Sequence, residues 1–134
     1  MTLKSYYSQN RLGEKTQWFT LMASASRNAD VRSDIQAGPW AFGLLLEIKV
    51  AAASSLSFVP KLETKDDAGN VILLWTAAAA VIADGTVLYL FFPGGAVDAD
   101  GLTEGADMPV PRQWNLFMDF SAGSGTIEVH ACYL

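Results

Sequence analysis

Two stretches near the end of the chain alternate apolar and polar residues with a period of two, and this alternation restricts the fold more than any other feature. Trp114, Leu116, Met118 and Phe120 alternate with Gln113, Asn115, Phe117 and Asp119; Ile127, Val129, Ala131 and Tyr133 alternate with Glu128, His130 and Cys132. Side chains of an extended chain point to opposite faces in turn, so each stretch predicts a strand with one buried face. Ser121-Ala122-Gly123-Ser124-Gly125 between them reads as a turn. Residues 111–134 therefore predict a β-hairpin against which earlier strands pack.

The same period runs through the middle of the chain. Leu44, Leu46, Ile48 and Val50 share one face and Leu45, Glu47 and Lys49 the other, a spacing of i, i+2, i+4 that excludes an amphipathic helix. The small residues Ala51 to Ser55 predict a loop. Leu56, Phe58, Pro60, Leu62 and Thr64 then alternate with Ser57, Val59, Lys61, Glu63 and Lys65, and Pro60, which has no N–H, marks this strand as an edge or a bulge. Lys65-Asp66-Asp67-Ala68-Gly69-Asn70 is a hairpin turn by composition, with Val71 to Thr76 returning as its partner strand. Trp18 to Ala25 predicts a first strand and Val31 to Ile35 a short second one.

Val87 to Phe92 is apolar on both faces, which predicts a central strand or an intersheet or intersubunit contact. Ala77 to Ile82 is too short for a stable helix and is read as irregular-to-strand. The acidic, glycine-containing segment from Ala96 to Val110 predicts a long surface loop. Turn clusters thus separate about seven or eight short strands, and the expected architecture is all-β: a single-domain antiparallel β-sandwich of jelly-roll type over residues 18–134. Residues 1–17 are polar apart from Tyr6 and Tyr7, follow neither period, and read as an extended N-terminal arm, either a floppy terminus or a segment that orders on a partner.

Composition narrows the function classes. In 134 residues, 51% apolar content suffices for a core, while 17% charged residues is a small share with which to cover a monomer's surface. With a mean hydropathy of +0.21, this implies apolar surface that meets a partner. A formal charge of −5 offers no basic footprint for nucleic acid. No apolar run reaches the roughly 18 residues needed to span a bilayer, so no membrane partner is expected, and the first residues carry no signal-peptide core. Cys132 is the single cysteine, which excludes intrachain disulfides.

Catalytic and ligand chemistry finds little to work with. His130 and Cys132 lie two apart on one strand face, but a dyad also needs an orienting third group and a cleft, and they read as residues of a half-exposed sheet face. Asp98, Asp100 and Glu104 depart from the calcium-loop pattern. Neither glycine cluster, Gly94-Gly95 nor Gly123-Ser124-Gly125, opens a helix with Lys-Ser or Lys-Thr, so both are turns rather than phosphate loops. Trp18, Trp40, Trp75 and Trp114 each lie in or beside an apolar strand, which favours packing over a sugar-stacking platform. The expectation is a non-enzymatic protein without metal or cofactor.

Three segments, in order, resemble small tailed-phage virion structural proteins: Asp67 to Ala77 continuing through Ile82 to Gly94, then Val110-Pro111-Arg112-Gln113-Trp114-Asn115-Leu116, then Gly123 to Val129. The second of these segments looks like the proline-arginine-x-tryptophan strand of those proteins. The similarity covers residues 18–134, and the chain departs from the pattern in its more apolar Leu88 to Phe92 run. The resemblance implies a capsid decoration, or cement, protein that binds and stabilises the major capsid lattice. It further implies a homo-oligomer, with a trimer favoured, made in the host cytoplasm and placed on the capsid surface of the virion. Tyr6, Tyr7, Leu88, Leu90, Phe92 and Phe117 are the expected interface residues. The alternative is a tail or host-attachment module that binds carbohydrate through exposed Trp or Tyr in a shallow groove.

Overall fold

Two strands of about twenty residues form the spine of the molecule. In a computed structural model that describes residues 18–38, 41–94 and 101–134, the elements are β1 (Trp18–Arg27), β2 (Val31–Arg32), β3 (Gln36–Ala37), β4 (Leu44–Lys65), β5 (Val71–Thr76), β6 (Gly85–Phe91), β7 (Glu104–Ala106) and β8 (Gln113–Tyr133). The described residues contain no helix, and the all-β expectation is met. The arm expected over residues 1–17, including Tyr6 and Tyr7, lies outside the described residues.

β4 and β8 pair antiparallel from Leu44↔Tyr133 to Glu63↔Asn115. The hairpin expected over residues 111–134 is therefore not formed: Ser121 to Gly125 does not reverse the chain, and both predicted strands belong to the single strand β8. Likewise Ala51 to Ser55 is no loop but part of β4. In both strands the small residues serve a shared bend, where the register shifts between Ala51 and Phe58 and Ala52, Ser55 and Gly123 adopt φ of 53°, 47° and 69°. A run of Ala, Ser and Gly reads equally as a turn or as a bend, and its partner across the sheet decides which.

The bend folds one sheet into two layers. The first holds β1, the 127–133 half of β8, the 44–50 half of β4, β6 and β7; the second holds β2, β3, the other halves of β8 and β4, and β5. Leu44, Leu46, Ile48, Tyr89, Phe91, Val129 and Ala131 of the first layer join Phe58, Leu62, Trp114, Leu116 and Met118 of the second in one core cluster. Trp75 of β5 meets Tyr89 and Phe91 of β6 edge-on, at 5.2 and 4.8 Å between ring centroids. Trp114 Nε1 donates to Tyr133 Oη at 3.0 Å, and that hydroxyl donates to the Ala37 carbonyl at 2.5 Å. Each buried side chain contributes about 1.5–3 kcal/mol against about 0–1 kcal/mol for an exposed ion pair, so this core, not the surface charges, holds the layers together.

A second cluster lies on the outer face of the first layer: Leu45, Leu88, Leu90, Cys132 and Leu134, with Trp18, Phe92 and Leu102 packed on it. It explains why residues 87–92 are apolar on both faces. Two further expectations change. Glu104–Ala106 is not loop but a strand parallel to β6. Pro60 is not at an edge: it sits in central β4 opposite Met118, and its carbonyl accepts the Ala77 N–H at 2.9 Å. The side on which its donor is missing thus faces residues 77–81, beyond the last β5 pair, and costs the ladder with β8 nothing.

Candidate protein-binding surface

β5 is positioned by the turn before it and the tryptophan at its end. In the turn, Asp66 Oδ1 accepts the N–H groups of Ala68 and Asn70 at 2.9 and 2.8 Å, and Asn70 Nδ2 donates to Oδ2 at 3.1 Å. These bonds, that of the Asn70 backbone foremost, hold the Asp66 carboxyl below its ordinary range. Gly69, at φ 85°, completes the reversal. At the other end Trp75 points inward, and its Nε1 donates to Glu104 Oε2 at 2.9 Å while Glu104 Oε1 accepts the Ala78 N–H at 2.8 Å. One carboxylate of β7 therefore clamps the end of β5 to the first layer.

Between these anchors β5 pairs on one side only, with β4, from Lys65↔Val71 to Lys61↔Thr76, and a bulge falls between Leu62 and Glu63. Among the described residues its other edge faces no strand. Val71, Ile72, Leu73 and Leu74 are 49%, 42%, 53% and 38% exposed. From Val71 to Ala83 there is no charged residue and no proline, the two devices that usually blunt a sheet edge. Ile35, also exposed, stands across an open groove of about 560 Å³ from Val71, with Arg32, Asp34, Lys65 and Asn115 on its walls.

A polar network underlies this corner. Arg32 Nε and Nη2 donate to the Glu63 carboxylate at 2.9 and 3.3 Å, and Asn115 Nδ2 donates to Glu63 Oε1 at 3.0 Å. Burial pushes the Glu63 carboxyl up, but the bonds from Arg32 and Asn115, with the charges of Arg32 and Lys61, outweigh it and hold the group below its ordinary value. The Arg32 guanidinium also covers the Phe117 ring, 3.9 Å from its centroid.

The expected interface residues are distributed differently. Leu88 and Leu90 are buried in the outer-face cluster, Phe117 is buried beneath Arg32, and Phe92 is half-buried against the cluster. Tyr6 and Tyr7 lie outside the described residues. The exposed apolar strip is instead Val71–Leu74 with Ile35. Its signal was present in the sequence as four consecutive apolar residues followed by a long uncharged run.

The chemistry considered at His130 is also resolved in its geometry. His130 Nε2 lies 3.1 Å from Glu128 Oε2, whereas Cys132 is buried in the outer-face cluster with its Sγ donating to the Tyr133 carbonyl at 3.5 Å. Among the described residues no three His, Cys, Asp or Glu side chains are grouped to hold a metal ion, and no helix is long and apolar enough to cross a membrane. Asp98 and Asp100 lie outside the described residues.

No family model and no curated protein matches this sequence. Among solved structures, one described as "Crystal structure of PirA" is similar to this chain with a TM-score of 0.42 and 12% identity, over 94% of this chain and 99% of that one.

Proposed function

We propose that this chain is a non-catalytic structural protein that works by joining protein surfaces, and that it serves as a decoration protein on a tailed-phage capsid, bound to the major capsid lattice. The exposed, uncharged edge strand β5 carries the reading of a protein that joins protein surfaces. Four apolar side chains left 38–53% exposed on a strand with one free edge are the composition of a site that another polypeptide covers. The phage assignment rests on the resemblance of residues 67–94, 110–116 and 123–129 to virion structural proteins. A rigid two-layer body suits the task, because a lattice of many copies multiplies small contacts into stable attachment.

The carbohydrate-binding alternative gains no support from the described tryptophans; Trp40 lies outside the described residues. Trp114 is fully buried, Trp75 and Trp18 are half-buried, and the indole N–H of Trp75 is committed to Glu104. The test is co-sedimentation of the purified protein with phage heads that lack it. Saturable binding at a fixed number of copies per capsomer is the expected result; binding to tails alone, or to neither part, overturns the capsid assignment.

A further inference from the structure

We infer that a second copy of this chain binds the β5 edge, so that two subunits pair β5 to β5 in an antiparallel arrangement and join their second layers into one continuous sheet. The inference rests on the reading of this edge as a protein-binding surface and names what occupies it. Three observations commit it to a second copy. First, the free edge offers a row of backbone donors and acceptors that a strand of the same length satisfies.

Second, the distribution of charge selects the antiparallel two-fold. Lys65, Asp66 and Asp67 stand at the start of β5, and its end runs into the uncharged segment 77–83. A two-fold centred on Leu73 brings each copy's charged turn to the uncharged end of the other. A parallel alignment would instead stack Asp66 and Asp67 on their own copies, with each Asp66 carboxyl held in its ionised form by the turn bonds. Third, the apolar strip is self-complementary. Leu73 meets its own copy, Val71 and Ile72 meet the far half of the partner strand, and no polar side chain between Val71 and Trp75 is desolvated. A heterologous partner would have to supply the same neutral, apolar strand; a second copy supplies it already.

Sedimentation equilibrium on the purified protein across roughly 1–100 µM, with Leu73→Lys beside it, is the experiment, since specific interfaces of ordinary size hold in this range. Wild type is expected at twice the monomer mass. Leu73→Lys is expected to weaken association at least 100-fold while keeping the wild-type circular dichroism spectrum, because Leu73 is 53% exposed. Phe42→Lys, which alters an exposed apolar residue away from β5 and from residues 77–83, is expected to leave the dimer intact. Leu73→Cys is expected to form a disulfide-linked dimer under mild oxidation, as a residue near the two-fold does.

A monomer at every concentration, a trimer, or a dimer that survives Leu73→Lys overturns the inference. The capsid reading fails separately. Protein that is monomeric but saturates heads removes the dimer and keeps that reading, and a dimer that ignores heads does the reverse.

Discussion

Tyr89 shows how burial alone turns a side chain into a pH-dependent part of the core. Its phenol is pushed up to about 12, chiefly by desolvation and then by the charge of Glu104. A raised value means that the neutral form is favoured by folding. The associated stability is complete below about pH 10 and is lost as pH rises towards about 12. Tyr133 moves in the same direction, since burial outweighs the bond from Trp114. Thermal melts at about pH 9 and about pH 11 should therefore show an alkaline loss in wild type that Tyr89→Phe reduces by about 1.3 kcal/mol. Glu63 behaves oppositely. Its carboxyl is held below its ordinary 4.5, so its contribution is present above that pH and is lost as pH falls through the lower folded value. Arg32→Ala leaves the Glu63 carboxylate, 4% exposed, with Asn115 alone, and a cost of about 2 kcal/mol in denaturant unfolding is expected. These residues also mark where reading the sequence stops. Phe117 falls on the polar side of its strand's alternation and so reads as an exposed aromatic, but Arg32, far away in the chain, lies over it. Neither period nor composition encodes that contact.

At the scale of elements, strand positions were legible and strand partners were not. The alternations over 44–50, 56–65, 113–120 and 127–133 mark the buried faces correctly, because period two follows from the geometry of an extended chain wherever it pairs. What joins those pieces depends on long-range register. Gly123 illustrates it: a Cβ there would strike the Ser54 and Ser55 carbonyl oxygens, backbone atoms some 70 residues away in sequence. Gly123→Ala combines that clash with a φ of 69° and is expected to destabilise by about 3 kcal/mol. Gly69→Ala, at φ 85° with open space around it, should cost about 1 kcal/mol in the same urea titration. The hairpin turn at Asp66–Asn70 was legible for the converse reason, since all of its hydrogen bonds are local. The binding strip was half legible. Four apolar residues in a row announce burial, and only the topology reveals that β5 is an edge with a single strand partner among the described residues.

For the whole molecule, the ladder bonds converge on one strand. β8 pairs with β1, β2, β3 and β4, and the first three have no other strand partner among the described residues. Since both layers share β4 and β8, neither layer can open while the other stays intact, and calorimetric and van't Hoff enthalpies of unfolding should agree. Two separate transitions would contradict the shared spine. The same convergence governs the birth of the protein. Trp18 waits for Cys132, Val31 for Met118 and Gln36 for Trp114, so a nascent chain holds β1, β2 and β3 without these partners until β8 has cleared the ribosome, while β4 can already pair with β5 and β6. A ribosome stalled at Gly125 would therefore carry β4, β5 and β6 able to pair with one another, but would leave β1 without residues 126–132, on which most of it is seated.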